Sequence, residues 1–576
     1  MGKVLKYLKP YWLVTVLSPL FMFGEVWVDL KLPQLMIFII NDGIGKGDMR
    51  TIGIYGLQMV LYAIFGGICG VASAGFGSAS SQFFANDLRC DAFSRVMLMS
   101  PQQTDKFTTG SLVTRITNDI SQVQNFVAMA LRGCVRTVLL FGGSIYYALQ
   151  LNVKFGVVVL ISLPIQLAIV VFFMTKASPL FGIVQEKLDR VNSVVRENIT
   201  GARVVKAYVR EEHEIDRFGK ANKELCDMTF KVSKIMATMM PLVMIVMNLT
   251  IISIIRVGGG LVDAGSMQAG EVMAAITYVT HILMSIMMIS MMFQMISRAM
   301  ASAKRIEEVL DTHPVIEGGS EELCGDIEKI EFRDVSFSYP GSGGRPVLCG
   351  VNLEINKGET VAILGSTGAG KTSLVSLIAR YYDANDGEIL VNGRNIKDFT
   401  LESLRKKVGY VLQKSELFSG TIADNIRWGN PDATDEEVRE CAKTAQADEF
   451  ITSFNNGYDT VIGEKGASLS GGQKQRLSIA RSVMKRPEVL IFDDSTSALD
   501  LGTEARLQKA LRENLAGTTV ILIAQRIASV MNADRIIVLD KGEVAACGTH
   551  DELLKGSAVY RDIYDSQMRK EDGSDE

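Results

Sequence analysis

Net charge is the first thing this sequence lacks. Its 60 lysines and arginines nearly cancel 64 aspartates and glutamates, leaving −4 over 576 residues. No basic footprint for nucleic acid is present, so a nucleic-acid partner is not expected. Histidine is scarce: the four residues are scattered and form no metal-binding cluster. The eight cysteines show no CxxC or other metal-ligand spacing, and they read as free thiols of a reducing compartment. Nor is a cleavable leader expected. Lys3, Lys6 and Lys9 precede the first apolar run at Tyr11, and no small-residue cleavage site follows it. That run is expected to be a retained first membrane helix with a cytoplasmic N-terminus. None of the apolar segments alternates as a membrane barrel strand would.

What is there is unevenly spread. The chain is 48% hydrophobic, and the long apolar runs fall in the first 300 residues. A helix needs about 20 apolar residues to cross the hydrocarbon core. Six segments qualify, at residues 11–40, 52–82, 126–150, 154–178, 236–262 and 270–297. The links after the first, third and fifth are short. Those after the second and fourth, residues 83–125 and 179–235, are long, charged and helical in pattern, with no glycine-rich or proline-rich stretch. Their lysines and arginines put them on the cytoplasmic side, where the membrane helices would run on and return. A helical stretch then meets a break at Pro314, and at residue 328 IEFRDVSFSY alternates as a strand does. The expected organisation is a six-helix membrane domain at 1–303, a linker at 304–327, a soluble α/β domain at 328–566 and a charged, unstructured tail at 567–576.

The soluble domain carries the chemistry. Strand-like VAIL leads into Gly365, Ser366, Thr367, Gly368, Ala369, Gly370, Lys371 and Thr372, and SLVSLIARYY follows as a helix. This is GxxxxGK[ST] in the strand–loop–helix setting the motif requires. Its glycines let backbone N–H groups surround an anion. Lys371 adds a charge for the β- and γ-phosphates of ATP, and the Thr372 hydroxyl suits Mg²⁺. EVLIFDD is a second apolar strand ending in acid, with Asp493 placed to hold Mg²⁺ through water. Between them lie Leu469, Ser470, Gly471, Gly472 and Gln473, the string LSGGQ, at the start of a helix where an anion is favoured.

In this order the motifs resemble the ATP-binding-cassette family. With six spans ahead of them, the chain is similar to bacterial multidrug-type half-transporters over residues 1–566. The resemblance implies a type I exporter fold: a helical membrane domain plus an α/β nucleotide-binding domain. It implies that Tyr339 stacks on adenine and that Gln413 joins Mg²⁺ to the membrane domain. It implies that Glu464 lies near the coupling helices, and that SALD, from Ser497 to Asp500, crosses a dimer interface. TGSLVTRITNDI and ENITGARVVKAYVREEHE resemble the family's two coupling segments. The family's motor domains pair head to tail, each ATP lying between one chain's phosphate loop and the other's LSGGQ.

Two positions depart from the family. Asp494 stands where the water-polarising Glu is usual, and Gln525 where the switch His is usual. A carboxylate one methylene shorter retreats by about 1.5 Å, one C–C bond. A misplacement of that order costs ~100-fold in rate. Gln hydrogen-bonds but has no imidazole proton chemistry. Both losses spare ATP binding, so the resemblance narrows to one half of a heterodimer. The partner would be a homologous half-transporter with Glu and His intact, and the expected function is export of hydrophobic or amphipathic compounds across the cytoplasmic membrane, both termini cytoplasmic. A lipid or lipid-linked flippase fits the same scaffold, as does a nucleotide-gated channel or regulatory half; six spans exclude a soluble ATPase. Glu25 and Asp29, one turn apart in the first span, are candidates for the substrate path, with a gating or packing role beside Lys31 as the alternative. Arg132 and Arg136 form a basic pair in the third span, so substrate charge is not legible. Fourteen of the 27 methionines lie between residues 236 and 300, which suits adaptable binding and helix packing alike.

Overall fold

The computed structural model describes residues 1–340, 342–343, 346–496 and 499–571, and it divides into two compact units. The first comprises Met1–Met97 and Gly110–Thr312, the second Leu98–Thr109 and His313–Glu576.

Six helices among the described residues are long and apolar enough to cross a membrane: Gly2–Ile44, Met49–Leu98, Thr109–Leu151, Val153–Thr200, Glu211–Asp263 and Ala269–Ile289. The last continues to Leu310. Helices of 48 to 53 residues outrun the bilayer. Fifty residues span about 75 Å against a hydrocarbon core of about 30 Å. The long charged links are therefore continuations of the spans themselves. Beyond the apolar core, Val153–Thr200 and Glu211–Asp263 are joined by ion pairs, with Lys187 2.8 Å from Glu224 and Arg217 2.6 Å from Glu197.

Within the apolar region, small and polar side chains hold the helices together. The Ser18 and Ser73 hydroxyls each donate to the other's carbonyl, at 3.0 and 2.9 Å. Tyr278 donates to the Leu30 carbonyl at 2.8 Å, and Gln166 to that of Leu283 at 2.9 Å. Nearer the end of the sixth helix, buried Asp119 accepts from Ser302 at 2.8 Å and is gripped by the Arg305 guanidinium.

The second unit is α/β. A six-stranded sheet runs in the order Glu543–Gly548, Arg535–Asp540, Thr360–Gly365, Thr519–Ile523, Val489–Asp493, Val408–Val411, parallel except at its first pair. A four-stranded antiparallel sheet is built on Lys329–Phe337 and Leu348–Asn356. Alternation along the central strands feeds two cores. Val361, Ile363, Val489 and Ile491 pack with Ile330, Phe332 and Val351 of the second sheet. Ala362, Leu364, Leu490 and Phe492 pack with the helical part around Ile422, Val438 and Leu477.

Two boundaries differ from those expected. Leu98–Thr109 groups with the second unit, not the first. Gln103 donates to the His313 carbonyl at 2.6 Å, and the Tyr382 hydroxyl donates to Asp105 at 2.9 Å. The closing helix, Ala558–Glu571, runs into the tail expected to be unstructured.

Candidate functional site: a phosphate loop and two adjacent carboxylates

The loop that leaves strand Thr360–Gly365 is shaped by contacts that leave no room for side chains. A Cβ on Gly365 would lie 2.2 Å from the Leu539 carbonyl oxygen of the neighbouring strand. Gly370, the residue before helix Lys371–Ile378, has φ +98°, and a Cβ there would meet Leu348 at 2.7 Å and the Val347 carbonyl at 2.9 Å. The Lys371 ammonium donates to the carbonyls of Gly365 and Ser366 at 2.7 and 2.8 Å. Burial pulls its pKa below the usual lysine value, opposed by the charges of Asp494 and Asp493.

Parallel pairing of Val489–Asp493 beside Thr519–Ile523 delivers the acids to this loop, with Asp493 opposite Ile523. Asp493 is 2% exposed. Its carboxylate accepts from the Thr372 hydroxyl at 2.8 Å and the Tyr410 hydroxyl at 3.0 Å. Burial raises the Asp493 pKa, while those two hydroxyls hold it down. Among the described residues no group of three or more acidic, His or Cys side chains converges as a metal site. A hydroxyl and a carboxylate oxygen are nonetheless the hard ligands Mg²⁺ takes when waters and substrate phosphates complete its shell. Thr372 and Asp493 thus fit Mg²⁺ as a partial ligand set.

Asp494 turns away from its neighbour. It has a left-handed φ of +49°, and its N–H donates to the Ile523 carbonyl at 3.1 Å. One carboxylate oxygen accepts from the amides of Gln525 at 2.7 Å and Gln413 at 3.1 Å. Gln413, expected at the metal, is in this arrangement bonded to Asp494. The Gln525 turn is itself clamped. Gln567 donates to the Gln525 carbonyl at 2.8 Å and accepts from the Ile527 N–H at 2.8 Å.

Tyr339 packs edge-on against Phe337 and Tyr382, and its hydroxyl lies 2.9 Å from that of Ser373. In the signature, Ser470 caps helix Gly471–Met484: its N–H donates to Gln473 at 2.9 Å and its hydroxyl accepts the Gln473 N–H at 3.3 Å. A Cβ on Gly471 would meet nothing within 4 Å. Leu469 is buried beneath this turn. Glu464 is exposed, at a short 3₁₀ turn. Ser497 lies outside the described residues, while Asp500 caps helix Leu501–Asn514, accepting from the Thr503 N–H at 2.8 Å.

The two expected coupling segments differ in placement. The stretch grouped with the second unit is Leu98–Thr109, just ahead of TGSLVTRITNDI, of which it includes only Thr109. In the other, the tip around helix Ala202–Ala207 exposes Val204, Tyr208 and Val209. In the membrane unit Glu25 and Asp29 meet on one residue, Arg136, at 2.7 and 3.0 Å. Lys31 instead donates to Gln34 at 2.9 Å.

Tyr410, Ser373 and Gln567 were not singled out by the sequence. Tyr410 belongs to the strand just ahead of Gln413, and that proximity was its only signal.

Comparison with known proteins identifies the two parts of the chain. The model of the ABC transporter transmembrane region matches residues 15–287, and that of the ABC transporter domain matches 348–497. The chain is 40% identical to the uncharacterized ABC transporter ATP-binding protein YfiB of Bacillus subtilis, over 99% of both chains. It is 36% identical to the ATP-dependent lipid A-core flippase of Desulfotalea psychrophila, over 84% of this chain and 85% of that one. Among solved structures, a bacterial Atm1-family ABC exporter with ATP bound superposes with a TM-score of 0.80 at 25% identity, over 96% of this chain and 98% of that one.

Proposed function

The chain belongs to the ABC transporter family, as an exporter-type, multi-pass membrane polypeptide with its own ATPase domain, and from that premise we propose that it is one half of a heterodimeric pump whose own ATP site hydrolyses slowly. The observation that carries this is the tether on Asp494. The carboxylate is one methylene short, and two amides bond the same oxygen. Neither amide takes up a proton, so the group beside the γ-phosphate position offers no base chemistry in place of imidazole. The parts that bind nucleotide are intact. Lys371 would exchange its two loop carbonyls for phosphate oxygens, and Tyr339 would flank the base. Thr372 and Asp493 would hold Mg²⁺, which supplies charge neutralisation on the phosphates.

On this reading the chain lends Ser470 and the helix behind it to the partner's competent site. The partner is a homologous half-transporter with Glu and His at the two altered positions. The cargo is hydrophobic or amphipathic, moved out across the cytoplasmic membrane, and the lysines ahead of the first span support cytoplasmic termini. Relatives named as lipid A-core flippases favour a lipid flippase as the second reading. Movement of a fluorescent phospholipid against that of an apolar dye in vesicles separates the two. For the divided roles, the purified chain alone is expected to bind ATP and turn it over slowly, with the partner restoring turnover. Fast ATPase from the chain alone, abolished by Asp494→Ala, would overturn the impaired site.

A further inference from the structure

The membrane unit holds both signs of charge, but the structure separates them. Glu25 and Asp29 are occupied by Arg136. The second Glu25 oxygen is buried against Gly70, where a Cβ would meet it at 2.9 Å. Neither carboxylate lines the cavity next door, an opening of about 440 Å³ whose walls include Met22, Ala74, Ser78, Met129, Arg132 and Arg136. Its volume is that of a small-ligand pocket.

Arg132 has no carboxylate within ion-pair distance among the described residues. Its position is nonetheless built. The stem lies on Gly77 of the second span, where a Cβ would be 3.2 Å from the Arg132 Cδ and 2.8 Å from the Ser18 hydroxyl. Any larger residue at 77 would displace the arginine or the serine pair beneath it. The backbone is widened here too, since Ala130–Cys134 forms a π-helical turn, a feature frequent at functional sites. An unpaired guanidinium within a span is costly unless something of opposite charge reaches it.

We propose that this cavity receives the acidic head group of an amphipathic substrate, with Arg132 as its ion-pair partner, Ser78 as a hydroxyl donor and Met22, Ala74 and Met129 against the start of the apolar tail. The inference rests on the exporter reading and sharpens its substrate class: anionic amphipaths are taken in preference to cationic ones. Arg136, already held by two carboxylates, contributes little net charge, so discrimination falls on Arg132.

The test is binding without nucleotide, by native mass spectrometry of the full chain in a neutral detergent. Dodecyl phosphate is titrated against dodecyltrimethylammonium, which has the same tail and opposite charge. Saturable adducts of dodecyl phosphate are expected at concentrations about tenfold below those of the cation. Arg132→Gln should weaken dodecyl phosphate about tenfold, the loss expected for one charge-assisted hydrogen bond, and leave the cation unchanged. Arg132→Lys, which keeps the charge should the glutamine variant fail to fold, should retain most of the preference. Equal binding of both amphipaths, or unchanged dodecyl phosphate binding in Arg132→Gln, overturns the proposal. So does displacement by inorganic phosphate at equal concentration, which would make the site one for free anions. ATP-driven movement in vesicles is scored separately, on the chain assembled with its partner half. Adducts without movement support the head-group site and count against the pump; movement indifferent to charge supports the pump and overturns the site.

Discussion

Asp493 and Asp494 are neighbours in sequence with opposite surroundings, hydroxyls on one and amides on the other. The ionisation of Asp493 is opposed by its surroundings. Burial raises its pKa, and the hydroxyls of Thr372 and Tyr410 stabilise the anion and partly reverse that. Without a cation the raised pKa means that folding stability falls as pH climbs from the ordinary carboxylate value to the raised one, since the native state holds the proton longer. A bound Mg²⁺ needs the ionised form, so Mg²⁺-dependent ATP binding should be lost on the acid side and recovered as pH rises. Tyr410→Phe removes one stabiliser of the anion and should shift that recovery to higher pH in a titration of Mg²⁺-ATP binding. Coincident curves for variant and parent would deny Tyr410 this role. The loop glycines give a second contrast. Gly368 and Gly370 both have positive φ, at +87° and +98°, but only Gly370 faces close neighbours. Gly368→Ala meets backbone strain alone, about 1–2 kcal/mol. Gly370→Ala adds the collision with Val347 and Leu348, so fluorescent-nucleotide titration should show the larger loss of affinity there.

At the level of elements, helix Gly471–Met484 separates folding from function within two adjacent residues. Ser470 supplies the cap, and replacing such a cap with Ala costs about 1 kcal/mol. Gly471 has open space around it, and an acidic side chain in the first turn is favourable to the helix dipole. Chemical denaturation of the full chain should therefore find Ser470→Ala destabilised and Gly471→Asp close to the parent; the reverse order would mean that the turn is held otherwise. Much of this was legible in the sequence, because alternation marks the strands and a phosphate loop announces the strand and helix beside it. The six spans were legible as apolar runs. That they run on beyond the membrane was legible too, from the charged, helical pattern of the long links; the residues at which they end were not, since hydropathy does not mark the end of a charged continuation. Nor was the placement of Leu98–Thr109, which depends on hydrogen bonds to His313 and Tyr382, far along the chain. The contact of Asp494 with Gln525 arises from the register of two parallel strands, and no spacing in one chain discloses a register.

For the whole molecule, the heterodimer reading assigns the two ends of one motor domain to different ATP sites. On that reading the phosphate loop, Asp493 and Asp494 belong to the slow site, and Ser470 and Gly471 would face the partner's phosphates, where cleavage would take place. A preorganised donor lost from such a site costs about 10²–10³ in rate, and a carboxylate placed at Gly471 adds repulsion against a triphosphate. Since a Cβ at Gly471 would meet nothing within 4 Å, and the denaturation experiment reports the variant's stability directly, its effect on turnover is separable from misfolding. In the assembled pair, Gly471→Asp should nearly abolish ATPase and transport, whereas Asp494→Asn should leave most of both. Lys371→Ala should weaken nucleotide binding at this chain's site and spare part of the turnover, because the competent site uses the partner's lysine. The order of severity is the measurement that matters. Were Asp494→Asn as damaging as Gly471→Asp, the chain's own carboxylate would be working in catalysis. The tether of Gln525 and Gln413 on Asp494 would then be a resting arrangement of an active site, and two identical chains would suffice for the pump.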